Sequence, residues 1–350
     1  MPPRPGACPC AEPHRCLPDR VRVLTDTNWP KNKPKALNVA LTDCSGEITG
    51  VFDAEDEVHL DILSRINACF EAEGVDVVQG GVQLMNFRTS WWVLHNVLEY
   101  FFWFKSRLHY HANRRFIPLG GNTVFARTDL IREAGGWDDN YLAEDCEIGV
   151  RLSSMGAGVS VAYDPELVTR EETPPTLGAL VRQRTRWDQG FIQVLRKGEW
   201  RRLPTFQQRL FARYTLAMPM LQAFVGVLIP FSVVAVVALH LPVVIALASY
   251  LPLLPTIANV MAQAVDLSEF CSSYGYRARI RDFVRLIVGT IPYQIILGYA
   301  ALRAVVREAT GDRSWEKTAH LGAHRNELPA PPMSCEERVP AHAATLETLG

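Results

Sequence analysis

Along roughly the first two hundred positions, apolar residues follow two alternating periods. "EITGVF" (47–52) and "VDVVQGGVQL" (75–84) are short apolar, β-branched runs that predict strands, and "VRVLT" (21–25) predicts a shorter one. Between them, "ALNVALTD" opens a helix after the turn-forming "NWPKNKPK". "HLDILSRINACFEAEG" spaces its apolar side chains as a helix does and stops at glycine. "LGGNTVFART" predicts a glycine turn running into a strand. "LIREAGGWDDNYLAEDCEIGVRLSSMG" predicts helix, turn, acidic cluster and helix, "VSVAYDPELVTRE" a late strand, and "LGALVRQRTRWDQGFIQVLRKGEW" a long basic and aromatic helix. This alternation predicts an α/β layer over a largely parallel sheet.

From Tyr214 the pattern changes. Residues 214–264 contain no Lys, Arg, Asp or Glu. At about 20 residues per span, such a tract crosses a bilayer twice, with a break near "HLP" (240–242). Arg196, Lys197, Arg201, Arg202, Arg209 and Arg213 precede it, and Arg277, Arg279, Arg281 and Arg285 follow it. The break carries no Lys or Arg, so both flanks and the catalytic part are expected on the cytoplasmic side of a cell membrane. A third apolar segment, 286–302, has arginines at both ends and reads equally as a span or as a helix lying in the interface. The competing reading of the whole tract is a buried helical core. The aromatic run "SWWVLHNVLEYFFWFKSRLHY" reads equally as core and as an interfacial belt.

Composition narrows the classes. The chain has 350 residues and a net charge of −1, with 36 Lys and Arg against 37 Asp and Glu. A nucleic-acid footprint would be strongly basic, so no nucleic-acid partner is expected. The eight cysteines share no repeating spacing, which argues against a disulfide framework. "CPCAEPHRC" near the start lacks the paired spacing of a zinc site and reads as part of a disordered leader over 1–20. That leader has no apolar core like that of a signal peptide.

Three constellations carry candidate chemistry. In "VFDAED", Asp53 and Glu55 follow a strand and share one side of the extended chain. Carboxylates at the carboxyl end of an α/β strand suit Mg2+ or Mn2+, although acidic strand-end loops are also common. On a helix, Gln183, Arg186 and Trp187 of "QRTRW" share a face, where an amide, a guanidinium and an indole would hold a diphosphate and stack on a sugar. The same helix also reads as an interfacial Arg/Trp helix before a span. The acids Glu144, Asp145 and Glu147 read as a helix cap, a solvated face, a metal site or a catalytic base.

Together "KPKALN", "FDAED", "GGWD…AEDCEIGVRL" and "QRTRW", in that order before apolar spans, resemble the processive membrane glycosyltransferases of family 2, the cellulose and hyaluronan synthase-like group. The resemblance covers roughly 21–325 and includes the tail "WEKTAHLGAHR". It implies a cytoplasmic GT-A fold over 21–205, expected to be incomplete at its N-terminus, a membrane region with two or three apolar helices over 206–305 and a cytoplasmic or flexible tail over 306–350. It also implies a nucleotide-sugar donor, expected to be a UDP-sugar, a divalent metal (Mg2+ or Mn2+), inversion at the anomeric carbon, and a glycan or lipid acceptor at the bilayer.

The resemblance gives Asp53 and Glu55 the metal and diphosphate motif, with Glu where Asp is usual and Asp56 able to share the role. Asp145 becomes the general base, with Ala143 in place of the usual Thr. Glu144 and Glu147 are expected to raise its pKa as like charges. Gln183, Arg186 and Trp187 fall at the donor diphosphate and acceptor end, and Lys35 is a further candidate donor contact. The family's base- and ribose-binding motifs do not occur in this sequence, so weak donor binding is expected of the chain as it stands.

Overall fold

The computed structural model describes residues 21–54, 56–238 and 253–316. The leader with its cysteine cluster, Glu55, the break at 240–242 and the tail beyond Glu316 lie outside the described residues.

The first helix, α1 (Lys33–Asp43), begins where the Asn32 side chain accepts the Lys35 N–H and Pro34 occupies an early position needing no donor. Strand β1 (Ile48–Val51) and helix α2 (Ile62–Glu73) follow, and α2 ends at Gly74 in the left-handed conformation. The stretch predicted as one strand breaks at Gly80–Gly81 into β2 (Val77–Gly80) and β3 (Val82–Leu84). A Cβ on Gly80 would sit 2.5 Å from Thr123, and one on Gly81 2.8 Å from the Tyr163 ring. Only glycine lets the backbone pass there.

Helix α3 (Trp91–Phe102), a π-turn (Trp103–Arg107) and α4 (Leu108–Asn113) carry the aromatic run. Trp92, Phe101 and Phe104 are buried, Trp91 and Trp103 half-buried, and Phe102 exposed, so most of the run is core. Then come β4 (Val124–Arg127), α5 (Thr128–Glu133), α6 (Glu144–Met155), β5 (Val159–Ala162), β6 (Thr169–Glu171) and α7 (Leu177–Lys197).

The main sheet has the order β1-β4-β2-β5, and β3 pairs with β6 in a small parallel sheet of its own. The expectation of a largely parallel main sheet is therefore corrected. Only β2 and β5 run parallel there, and β4 is antiparallel to both of its neighbours. Parallel pairing needs a crossover that returns the chain to the same end of the sheet. The path through α3, α4 and Gly120–Gly121 delivers β4 at the opposite end. "VRVLT" forms no strand, because no strand among the described residues pairs with it and its residues stay exposed.

Helices α8 (Phe206–Ala238), α9 (Leu253–Ser273) and α10 (Ile280–Thr310) complete the described chain. By length and composition, the stretch Phe206–Leu228 and helix α10 could each cross a membrane. The third apolar segment is thus part of a longer helix than 286–302. Its one face, with Leu286, Tyr293 and Ala300, is buried, and α10 packs chiefly on α7, α8 and α3. Its other face exposes Val284, Ile287, Val288, Ile291, Ile295 and Tyr299.

Candidate active site

The loop after β1, the Gly120–Asn122 turn, the start of α6 and one face of α7 meet at a cavity of about 660 Å3, which α3, the π-turn and the stretch of α8 from Thr215 to Gln222 also line. Gln79 on β2 is fully buried and fixes the glycine turn. Its Oε1 accepts the Gly120 N–H at 2.8 Å, and its amide donates to the Asn122 carbonyl at 2.9 Å. Fixing that turn fixes the Gly121 carbonyl, which accepts from Lys33 Nζ at 2.6 Å. The Lys33 ammonium also bonds the Asp53 carboxylate. Burial pulls the Lys33 pKa down, but Asp53, Glu144 and Asp145 outweigh it and hold the ammonium charged.

Asp145 lies in the first turn of α6, across from Gly121. A Cβ on Gly121 would come within 2.9 Å of Asp145 Oδ2 and 3.5 Å of Lys33 Nζ, so the missing side chain lets the turn close over both groups. Asp145 Oδ1 accepts the Cys146 N–H at 2.7 Å, which satisfies part of the capping reading. Burial raises the Asp145 pKa against the pull of that N–H, Lys33 and Arg186. Glu144 is 5 % exposed, and burial together with the Asp145 charge pushes it up to about 7.

Glu147 is not among the main influences on this pair. It is bound by Arg151 at 2.6 Å and Lys197 at 2.7 Å, and Lys197 also holds Asp138. The expected contribution of Glu147 to the Asp145 pKa is therefore corrected: two cations neutralise it in a structural network.

Helix α7 starts where the Thr176 hydroxyl accepts the Ala179 N–H and ends at left-handed Gly198. Gln183, Arg186 and Trp187 all line the cavity. Gln183 is buried, and its Oε1 has no hydrogen-bond partner among the described residues, so an acceptor atom waits at the cavity wall. The Arg186 guanidinium stacks 4.6 Å from the Trp315 ring, and Trp187 stands 6.0 Å from the Tyr100 ring. The register of α7 against α6 is set by a close contact, in which Gly190 faces Ala143 with no room for a Cβ.

Of the other expected residues, Lys35 pairs with Asp26 at 3.0 Å and does not line the cavity. Lys33, two residues earlier in the same quoted segment, does. The first turn of α1 decides between them, and nothing in the spacing of "KPKALN" separates the two lysines. Glu55 lies outside the described residues. The sequence also gave no prominence to Asp188, whose carboxyl lines the cavity and is raised to about 7 by burial and by Glu99 against Arg184.

As to a metal, Asp53 presents a hard oxygen ligand to the cavity. Among the described residues no group of three His, Cys, Asp or Glu side chains forms a cage. This donor set fits an ion held mainly by substrate phosphates and water, as Mg2+ commonly is.

The model of the glycosyltransferase-like family 2 matches residues 5–190, more than half of the chain. A β-monoglucosyldiacylglycerol synthase of Trichormus variabilis is 29% identical over 178 residues, which cover 50% of this chain and 37% of that protein. A probable glucomannan 4-β-mannosyltransferase of Oryza sativa subsp. japonica is 30% identical over 155 residues, covering 43% of this chain and 26% of the relative. The chain thus spans well under half the length of these curated relatives. A mannosyltransferase from Pyrobaculum calidifontis, solved with GDP-Man and Mn2+, superposes over 81% of this chain and 68% of its own, at 18% identity and a TM-score of 0.45, too loosely to bear on the chemistry. On the extent of the family match, the protein belongs to glycosyltransferase-like family 2, and its mixed α/β part is a GT-A-like fold.

Proposed function

We propose that this chain is the catalytic part of a membrane glycosyltransferase that moves a sugar from a nucleotide-sugar donor to a hydroxyl of a growing β-glycan, with inversion. The observation that carries the reading is the convergence of Lys33 and Asp53, Asp145, and Gln183, Arg186 and Trp187, from separate segments, on one cavity. Asp145 takes the proton of the acceptor hydroxyl as that oxygen attacks the anomeric carbon and the bond to the nucleoside diphosphate breaks. Glu144 keeps the proton that two crowded carboxylates share, which leaves Asp145 ionised as the base. Lys33 and Arg186 both act on this pair as positive charges and balance the charge of the departing diphosphate. Asp53, with Glu55, would hold a divalent ion, which when bound neutralises that diphosphate further. The Trp187 and Tyr100 rings offer faces on which a sugar ring stacks.

A second reading, transfer to a lipid acceptor, is favoured by the likeness to a glycolipid synthase. Either way the enzyme sits in a cell membrane through α8 and the apolar tract that follows. The test is release of free nucleotide from a panel of UDP- and GDP-sugars by membranes containing the full chain, with Mg2+ or Mn2+. Asp145→Asn should cut a metal-dependent release by about 10²- to 10⁴-fold. Equal release from the variant, or none from any donor with the unmodified chain, overturns the reading. Product size then separates a polysaccharide from a single transfer.

A further inference from the structure

At the foot of α8 a second cleft, of about 240 Å3, opens between the end of α4 and the first turns of α8. Asn113, Arg114, Arg115, Gln207, Gln208 and Phe211 are among its lining, and among the described residues no carboxylate lines it. Among the described residues, neither Arg114 nor Arg115 forms an ion pair, and both are exposed. The Arg114 guanidinium lies 5.2 Å over the Tyr110 ring, and Arg115 takes a left-handed backbone, φ 51°. That turn is pinned from α8, because the Gln208 amide donates to the Arg114 carbonyl at 3.2 Å. The Thr205 hydroxyl in turn accepts the Gln208 N–H at 3.1 Å, so the positive end of a long helix also borders the cleft.

The surroundings say where an anion would come from. Phe206 is 72% exposed, and Leu210 and Tyr214 follow it at helical spacing, also exposed. Arg209 and Arg213 are exposed beside them, and the helix then runs apolar to Leu228. Exposed aromatics and arginines at the start of an apolar helix match the headgroup layer of a bilayer.

We infer that this cleft binds the phosphodiester of an anionic phospholipid, held by Arg114 and Arg115 at the mouth of α8. The inference rests on α8 entering the bilayer, and not on glycosyl transfer. The lipid would fix the height of the catalytic domain above the membrane, away from the larger cavity.

The test uses the full chain purified in neutral detergent. Native mass spectrometry reads binding of dioctanoyl phosphatidylglycerol, of dioctanoyl phosphatidylcholine and of inorganic phosphate. Phosphatidylglycerol should bind more tightly than phosphatidylcholine. Arg114→Gln with Arg115→Gln should weaken it by about 25-fold, roughly 5-fold for each arginine, while Arg114→Lys with Arg115→Lys should retain most of it. Arg201→Gln with Arg202→Gln, which removes the same charge outside the cleft, should change little. Equal binding by the glutamine variant, equal loss in the control pair, or displacement of the lipid by phosphate at matching concentration would each overturn the inference. Extraction of membranes with alkaline carbonate reports separately on whether α8 is embedded, so failure of that premise is distinguishable.

Discussion

The contact between Gly190 and Ala143 makes a sharp prediction for Gly190→Ala. In an exposed helix interior this exchange stabilises by about 1 kcal/mol, because alanine loses less backbone freedom than glycine. Here the new methyl would meet Ala143 Cβ at 2.3 Å, its backbone N at 2.7 Å and its Cα at 3.1 Å. Carbon atoms pack at about 3.5–4.0 Å, so α7 and the start of α6 must part by roughly 1 Å. No side-chain rotation relieves the backbone contacts. Overpacking of this kind costs about 1–3 kcal/mol, and with unyielding neighbours the upper part of that range applies.

After the helix-propensity gain, a net loss of about 1–2 kcal/mol remains, or a melting midpoint lower by roughly 1–3 °C for a chain of this length. The same displacement moves Asp145 from Arg186 and should lower turnover by as much as about 10²-fold. Gly178→Ala is the control, since its Cβ meets only the mobile end of Arg182 at 3.6 Å, and it should melt at or above the unmodified chain. Thermal denaturation in detergent and nucleotide release read both effects. A Gly190→Ala protein as stable and as active as its parent would refute the argument that this contact sets the register of the two helices.

Two further expectations concern the cavity. Because the folded state holds the Glu144 proton up to about pH 7 and the unfolded chain releases it near 4.5, the folded state binds more protons between these values. Stability from this group is therefore present at low pH and is lost as pH rises through about 7. Glu144→Gln should flatten that decline when melting midpoints are compared from pH 5 to 8; an unchanged slope would remove Glu144 as its source. Gln183→Leu takes away an oxygen with no partner among the described residues and replaces it with an apolar group of similar size, so stability should change by less than about 1 kcal/mol while kcat/KM falls by about 10-fold. A loss of stability without a loss of activity would assign Gln183 to the core.

How much of this was legible in the sequence depended on the range of the forces involved. Helices α1, α2, α6 and α7 follow from local signals, namely an Asn or Thr cap, a glycine stop and apolar spacing. The sheet was harder, because β4 gains its place from two antiparallel neighbours distant in sequence. "VRVLT" has strand composition but no partner among the described residues, and composition alone cannot supply one. In the site, Gln183, Arg186 and Trp187 were readable because helical geometry alone puts them on one face. Choosing Lys33 over Lys35 required knowing which carboxylate each meets, Asp53 or Asp26. The neutralisation of Glu147 likewise depends on Lys197, fifty residues away. The Gly121 and Gly190 contacts are invisible without the third dimension.

The two sides of α7 have separate addresses. Gln183, Trp187 and Phe191 look into the cavity, while Thr185, Gln189, Gln193 and Arg196 bind α10 or the turn after it, through the Ala300 carbonyl, Glu308 and the Asp312 carbonyl. Residues only two apart therefore answer to different selective demands. A library built to change sugar preference can randomise 183 and 187 without touching the hydrogen bonds that fasten the helix to α10, whereas Phe191 also packs against the core around Val194 and Leu203. Variation at 185, 189 and 193 would instead be filtered by folding before any substrate is met.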